Sequence, residues 1–162
     1  MLKYVNHDIV FQEFPDEVTL AINLSLCPNF CPGCHSPYLC GDHGDELTEE
    51  RLFALLDDYA GEITCVGLMG GDNDTLEVER LCGLVKGRYG DKLKTGWYSG
   101  RKELPEGIHL DVFDYVKVGP YREECGPLKS SSTNQRLYRV NGYQLTDITS
   151  RFWHRGIDPN AK

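Results

Sequence analysis

Three cysteines lie close together in the first quarter of the chain, in the stretch Cys27-Pro28-Asn29-Phe30-Cys31-Pro32-Gly33-Cys34. Their C-x3-C-x2-C spacing lets three thiolates converge on one centre, and thiolates are ligands that suit iron–sulfur clusters or zinc. Three protein ligands leave one iron of a cubane cluster open, and an open coordination position is where chemistry takes place. Gly33 permits the sharp turn that this spacing requires. The spacing therefore favours an iron–sulfur site on Cys27, Cys31 and Cys34.

Two other interpretations of these cysteines stay open. A structural zinc site would take Cys40, His35 or His43 as its fourth ligand, although zinc sites usually use two separated ligand pairs and the chain has no second C-x2-C pair. The spacing can also arise by coincidence among seven cysteines. A ferredoxin-like electron carrier is disfavoured because it needs a fourth cysteine ligand at a suitable spacing. The remaining cysteines are predicted to be small buried hydrophobic residues: Cys40, Cys65, Cys82 and Cys125.

Composition and charge exclude several classes of function. The amino terminus has no apolar signal region, and no stretch approaches the ~18 consecutive apolar residues of a membrane-spanning helix. We therefore expect a cytoplasmic protein without membrane contact, where thiols stay reduced and clustered cysteines more often bind metal. The 25 acidic and 17 basic residues give a formal charge of -8. So acidic a chain lacks the basic surface that drives nucleic-acid binding, and that class is set aside.

Strands and helices alternate around the cysteine loop, which we define as residues 27–34. Apolar residues at every second position predict a strand over residues 18–26 that runs directly into this loop. Later strands are predicted over residues 63–69, 93–98 and 113–118. A helix is predicted to begin at Thr48, with Glu49 and Glu50 in its first turn, an apolar face formed by Leu52, Leu55, Leu56 and Tyr59, and an end at Gly61.

A second helix is predicted to begin at Asp74, with Glu77 as a capping-box partner three residues later. Its buried face is predicted to consist of Val78, Leu81, Cys82 and Val85. Towards the carboxyl terminus, residues 136–140 and 143–145 indicate a hairpin around Asn141-Gly142, a strong turn signal. The tail after about residue 154 is expected to be looser.

This order of elements predicts an α/β fold with mostly parallel strands. A βαβ unit takes about 30 residues and a closed barrel of eight units about 250. The 162 residues can supply four or five units. We therefore expect residues 1–162 to form one domain, an open partial (βα) barrel.

Here the chain resembles a known family. A C-x3-C-x2-C loop at the end of the first strand is the signature of the radical S-adenosylmethionine (SAM) enzymes. The glycine in Cys31-Pro32-Gly33-Cys34-His35 is similar to the activating proteins of anaerobic ribonucleoside-triphosphate reductase; the related pyruvate formate-lyase activating enzyme usually has an aromatic residue there. The resemblance covers roughly residues 18–140 and continues, in order, through Leu68-Met69-Gly70-Gly71-Asp72, Tyr98-Ser99-Gly100, residues 114–121 and Ser132-Thr133-Asn134-Gln135-Arg136.

Two positions depart from the family pattern. The glycine-rich segment that usually precedes the first strand is replaced by Phe14-Pro15-Asp16-Glu17-Val18, and the proline that often follows Gly-Gly-Asp is replaced by Asn73. These differences concern the partner and do not touch the cluster chemistry.

The resemblance implies which residues hold the cofactors. A [4Fe-4S] cluster on Cys27, Cys31 and Cys34 would bind SAM through its unique iron. Gly70, Gly71 and Asp72 would receive the amino group of SAM, with Asp72 as the negative charge for its ammonium, and Ser99 would contact its ribose or carboxylate. No catalytic residue is implied beyond the cluster and SAM. Without the resemblance, Gly70-Gly71-Asp72 and Tyr98-Ser99-Gly100 would both be interpreted as ordinary turns. Lys117 would be a solvated charge at the rim more often than a ligand for the SAM carboxylate.

The resemblance also implies a function: reductive cleavage of SAM that generates a glycyl radical on a large partner, anaerobic ribonucleoside-triphosphate reductase, with flavodoxin or ferredoxin as electron donor. Three alternatives are kept. The first is the activase of another glycyl-radical enzyme, of the pyruvate formate-lyase kind. The second is a small-molecule radical SAM enzyme such as a 7-carboxy-7-deazaguanine synthase, and the third is a zinc-binding interaction module.

Overall fold

The computed structural model describes residues 1–29 and 37–157. Within those ranges the strands are β1 (Lys3–Val10), β2 (Thr19–Leu24), β3 (Asp45–Glu46), β4 (Cys65–Met69), β5 (Lys94–Tyr98), β6 (Tyr115–Val118), β7 (Arg136–Asn141) and β8 (Gln144–Asp147). The α-helices are α1 (Glu49–Asp58), α2 (Thr75–Tyr89) and α3 (Ser150–Ile157), and short 3-10 turns cover Pro37–Cys40, Gly90–Lys92 and Leu110–Val112. None of the helices in these ranges is long and apolar enough to cross a bilayer.

The strands form one mixed, open sheet in the order β3-β1-β2-β4-β5-β6-β7-β8. The central pairs β2–β4, β4–β5 and β5–β6 are parallel, whereas β1–β2, β1–β3, β6–β7 and β7–β8 are antiparallel. The predicted α/β class and open sheet are therefore confirmed. The expectation of mostly parallel strands is wrong for the described residues, because antiparallel strands extend the sheet on each side of its parallel centre.

The two predicted helices begin where their capping residues indicate. The Thr48 side chain accepts a hydrogen bond from the Arg51 backbone N–H, and the Asp74 side chain accepts one from the Glu77 backbone N–H. The capping box is only half formed, because both carboxylate oxygens of Glu77 accept hydrogen bonds from Arg80 instead. The buried side of α2 consists of the four predicted residues, Val78, Leu81, Cys82 and Val85.

The larger hydrophobic core lies between the sheet and the helices α1 and α2. Alternate residues of the strands face it, among them Leu20, Ile22, Val66, Leu68 and Trp97. Cys82 belongs to this core as predicted, and burial raises the pKa of its thiol. A buried thiol of that kind stays protonated and inert.

A second, smaller core covers the other face of the sheet. It consists of Phe14, Cys65, Tyr115, Leu137 and Phe152. Cys65 is buried as predicted, and burial raises the pKa of its thiol too. The ring of Phe14 enters this core from the connection between β1 and β2. This connection therefore covers the face of the sheet opposite to α1 and α2, which we call the inner face.

Three of the described strands and α-helices were not predicted from the sequence: β1, the two-residue strand β3 and the helix α3. β1 runs antiparallel to β2 as an outer strand, and its half-buried residues do not alternate cleanly between apolar and polar. The helix α3 places Phe152 in the smaller core and runs to Ile157. Residues 158–162 lie outside the described residues, so the expectation of a loose tail stays a prediction.

Candidate functional site

The carboxyl ends of the four parallel strands meet along one edge of the sheet. Asn23 of β2, Met69 of β4, Tyr98 of β5 and Lys117 of β6 form one row across these strands. The cysteine loop, the Gly-Gly-Asp turn (Gly70, Gly71 and Asp72) and the Ser99-Gly100 pair each follow one member of this row within four residues. In parallel α/β sheets this edge is where ligands bind.

The cysteine loop begins four residues after this row. The Leu26 N–H donates to the Gly41 carbonyl at 3.1 Å, and the Cys27 N–H donates to the Leu39 carbonyl at 2.9 Å, so the two ends of the segment are joined at its base. Leu26 has a φ of 62°, a left-handed conformation that is uncommon for a residue with a side chain. Cys27 is half-buried at this point. Cys31 and Cys34 lie outside the described residues.

Asp72 joins three of the motifs. One of its carboxylate oxygens accepts a hydrogen bond from the Ser99 hydroxyl at 2.6 Å. The other oxygen accepts from the Gly100 N–H at 2.8 Å and from the Asn29 side-chain amide at 2.7 Å. Asp72 is only 8% exposed and Ser99 is fully buried. Asp72 therefore holds three segments together at this edge of the sheet. An ordinary strand-to-helix turn would not need these contacts.

Gly70 and Gly71 both adopt backbone conformations that favour glycine, with φ values of 118° and 97°. A Cβ on Gly71 would lie 2.5 Å from the Cγ2 atom of Val78, at the start of α2. The close packing of this turn against α2 fixes where the Asp72 carboxylate lies.

We expect Gly71→Ala to destabilise the protein through an unfavourable backbone conformation and through overpacking against Val78, each by about 1–3 kcal/mol. Gly61→Ala is the matched control, because Gly61 also has a positive φ of 84° but nothing lies within 4 Å of its added Cβ. Urea denaturation of both variants measures the difference. An equal loss in the two would show that the contact with Val78 contributes nothing.

Lys117 is buried, with 7% of its surface exposed, so the expectation of a solvated rim charge is wrong. Its ammonium donates hydrogen bonds to the Gln135 side-chain oxygen at 2.9 Å and to the Gly119 carbonyl at 3.2 Å. It also lies 5.3 Å from the ring centroid of Tyr98, whose pKa burial raises well above its usual range. A cation is therefore held at the same edge as the Asp72 carboxylate.

The Asn134-Gln135-Arg136 motif contacts Lys117 and the segment that follows it. Gln135 accepts from Lys117, and the Asn134 amide donates to the Pro120 carbonyl at 3.0 Å. A Cβ on Gly119 would lie 2.9 Å from the Gln135 Cα atom, so the two backbones approach closely there. These contacts make the motif part of a polar network at the edge of the sheet.

The remaining cysteines divide into two groups. Cys65 and Cys82 are buried as predicted, but Cys40 and Cys125 are half-exposed, so the prediction of burial is wrong for those two. Both lie in connections rather than inside a strand or on a helix face. Over residues 1–29 and 37–157, no three His, Cys, Asp or Glu side chains gather as a metal site would require.

A cleft of about 660 Å3 borders this edge. It is lined by Asn29 and by residues 101–106 of the connection between β5 and β6. This connection contains the 3-10 turn Leu110–Val112 and no α-helix. The cleft therefore lies directly beside the cysteine loop and the Asp72 carboxylate.

The chemistry of the donors at this edge fits an iron–sulfur cluster at the one proposed ligand that the structure describes. Cys27 offers a half-buried sulfur at the end of a parallel strand. The Asn29 amide donates to this sulfur at 3.5 Å, and hydrogen bonds to ligand sulfurs are usual around such clusters. Two features of this edge were missed from the sequence, the amide of Asn29 and the buried ammonium of Lys117. Neither has a sequence signal beyond its residue type and position.

The chain matches no protein-family model, no curated protein and no solved structure.

Proposed function

We propose that this chain is a radical SAM activase, which cleaves SAM reductively at a [4Fe-4S] cluster and generates a glycyl radical on anaerobic ribonucleoside-triphosphate reductase. The cluster ligands would be Cys27, Cys31 and Cys34. The described sheet would be the open partial barrel of this enzyme class, with its site at the carboxyl edge of β2, β4, β5 and β6.

One observation carries the proposal. The first cysteine of the loop, the Gly-Gly-Asp turn (Gly70, Gly71 and Asp72) and the Ser99-Gly100 pair are far apart in the sequence but lie at one edge, linked through the Asp72 carboxylate. The shared carboxylate holds these three segments in fixed positions relative to one another. A cofactor that spans the cluster and the strand ends would be positioned by this arrangement.

The charges at the edge suit a zwitterionic amino acid group. A carboxylate has about four lone-pair sites, and three donors already use the oxygens of Asp72. One site therefore remains for an ammonium, and the negative charge of Asp72 favours it. The ammonium of Lys117 supplies positive charge along the same edge. When bound, the cluster would supply the electron for the reductive cleavage of SAM, and the radical released from SAM would take a hydrogen atom from a glycine Cα of the partner.

An open sheet suits a substrate that is part of another protein. A glycine within a polypeptide backbone is bulky on both sides, and a closed barrel would exclude it. β3 and β8, the outermost strands of the described sheet, do not pair with each other. Flavodoxin or ferredoxin is the proposed electron donor.

The test is anaerobic reconstitution with iron and sulfide, followed by reduction in the presence of SAM. We expect a brown protein with about four irons per chain, as a cubane cluster requires, and release of 5'-deoxyadenosine. Addition of anaerobic ribonucleoside-triphosphate reductase should then give the electron paramagnetic resonance (EPR) signal of a glycyl radical.

Each failure points to a different alternative. A colourless protein that holds zinc would favour the interaction module. SAM cleavage without a radical on this reductase, but with one on a pyruvate formate-lyase-like enzyme, would assign the chain to that partner. SAM cleavage without a radical on either protein would favour a small-molecule enzyme.

A further inference from the structure

The side-chain amide of Asn29 lies between the sulfur of Cys27 and the carboxylate of Asp72. Its nitrogen is 2.7 Å from an oxygen of Asp72 and 3.5 Å from the Cys27 sulfur. An asparagine amide has two N–H donors, so one nitrogen can serve both acceptors at once. The two contacts join the cysteine loop to the end of β4.

The surroundings fix the orientation of this amide. The Asp72 carboxylate is itself held by the Ser99 hydroxyl and the Gly100 N–H. Gly100 also makes room for the amide, because a Cβ at that position would lie 2.6 Å from the Asn29 side-chain nitrogen. With one N–H directed to a buried carboxylate, the other is directed to the sulfur.

A hydrogen bond to a ligand sulfur changes the redox balance of an iron–sulfur cluster. Reduction adds negative charge to the iron and sulfur atoms, and an N–H donor stabilises that charge. The reduction potential of a cluster therefore rises with hydrogen bonds to its sulfurs. Asn29 is the described donor at Cys27, and residues 30–36 contain no asparagine.

We propose that Asn29 is a positioning residue that raises the reduction potential of the cluster by donating a hydrogen bond to Cys27, with Asp72 holding its amide in place. This inference rests on the proposed function, since it requires a cluster on Cys27. It assigns to the Asp72 carboxylate a second task, orienting Asn29, besides any contact with a cosubstrate.

The test is a redox titration of the reconstituted full-length chain, monitored by EPR. At the wild-type midpoint, the ratio of reduced to oxidised cluster in Asn29→Ala should fall about tenfold, which is about 59 mV for a one-electron couple. Gly100→Ala should shift the ratio in the same direction, because its Cβ displaces the amide while Asn29 remains.

Asn73→Ala is the matched control. Asn73 follows Asp72 directly, but its amide donates to the Met1 carbonyl at 3.1 Å. Its midpoint should equal that of the wild type. A wild-type chain that takes up no cluster would overturn the proposed function together with this inference. A wild-type cluster whose midpoint is unchanged in Asn29→Ala would overturn this inference alone.

A second measurement needs no variant that must retain its cluster. The reduced wild-type chain, labelled with 15N in asparagine only, should show a nitrogen coupling to the cluster in pulsed EPR. The coupling should persist in Asn73→Ala. Its absence from the wild type would overturn the proposed hydrogen bond even if Asn29→Ala failed to bind iron.

Discussion

Replacing Cys27 by alanine is expected to reduce SAM cleavage at least about 100-fold, beyond the 10–100-fold that loss of an outer-shell partner of a metal costs. The substitution removes one of three proposed ligands, and the remaining two thiolates cannot hold a cubane cluster. The fold should persist, because the hydrogen bond that Cys27 makes to Leu39 uses the backbone N–H and not the thiol. Iron content, 5'-deoxyadenosine release and far-ultraviolet circular dichroism measure the three outcomes. Cys31→Ala and Cys34→Ala should behave in the same way.

Two other cysteines provide controls for this series. Cys125 is half-exposed like Cys27 but is not a proposed ligand, so Cys125→Ala should keep wild-type iron content and activity. Cys40→Ala tests the zinc alternative, in which Cys40 is the fourth ligand. Full SAM cleavage by Cys27→Ala would remove this residue from the proposed ligand set. Loss of metal in Cys40→Ala would favour the zinc interpretation.

The sequence predicts the parallel centre of the sheet well because each central strand lies between helices or turns with strong local signals. Thr48 and Asp74 cap their helices as predicted, and the buried face of α2 follows the 3.6-residue period. The hairpin predicted around Asn141-Gly142 also forms between β7 and β8, with its two-residue turn one position later, at Gly142 and Tyr143. In all of these cases the information lies within a few neighbouring residues.

The antiparallel strand β1 was missed for a physical reason. A strand near the edge of a sheet is only half-buried, so it needs no regular alternation of apolar residues. The helix α3 was missed because it is short and its local sequence carries no capping or periodicity signal that we used. The packing of Phe152 into the smaller core holds it in place.

At the site, sequence spacing identifies the motifs but not their connections. Asp72, Ser99 and Gly100 are each visible as parts of turns, yet their contact depends on the register of β4 against β5. The burial of Lys117 likewise depends on a contact with Gln135, which lies 18 residues later in the chain, directly before β7. Such contacts are properties of the assembled sheet and have no local signature.

The departure from the family pattern before β2 has a structural counterpart. Phe14 is fully buried on the inner face of the sheet, and Glu17, 8% exposed, accepts hydrogen bonds from the hydroxyls of Thr64 and Tyr115 at 2.7 Å each. This connection is therefore anchored to the residue before β4 and to β6. The segment before β2 therefore contains residues that pack on the inner face of the sheet, on the side away from α1 and α2.

Phe14→Ala is expected to lower the free energy of unfolding by about 3–5 kcal/mol, the usual cost of truncating a buried phenylalanine. The ring has no exposed surface and makes an edge-on contact with Tyr98 and a tilted contact with Tyr115. That loss is large against the 5–15 kcal/mol by which most domains are stable. Urea denaturation measures it. Phe11→Ala is the matched control, since Phe11 is 61% exposed in the same connection and should change stability by no more than about 0.5 kcal/mol.

A double-mutant cycle with Gly96 tests whether Phe14 acts through this packing. A Cβ on Gly96 would lie 2.3 Å from the Cζ atom of Phe14, so Gly96→Ala alone should cost about 1–3 kcal/mol by overpacking. In the Phe14→Ala background that contact is gone, and alanine in a strand is favoured over glycine by about 0.5–1 kcal/mol. Gly96→Ala should therefore become neutral or stabilising there, which gives a clear coupling between the two sites. Equal costs in both backgrounds would show that the ring of Phe14 does not occupy the space above Gly96 in solution.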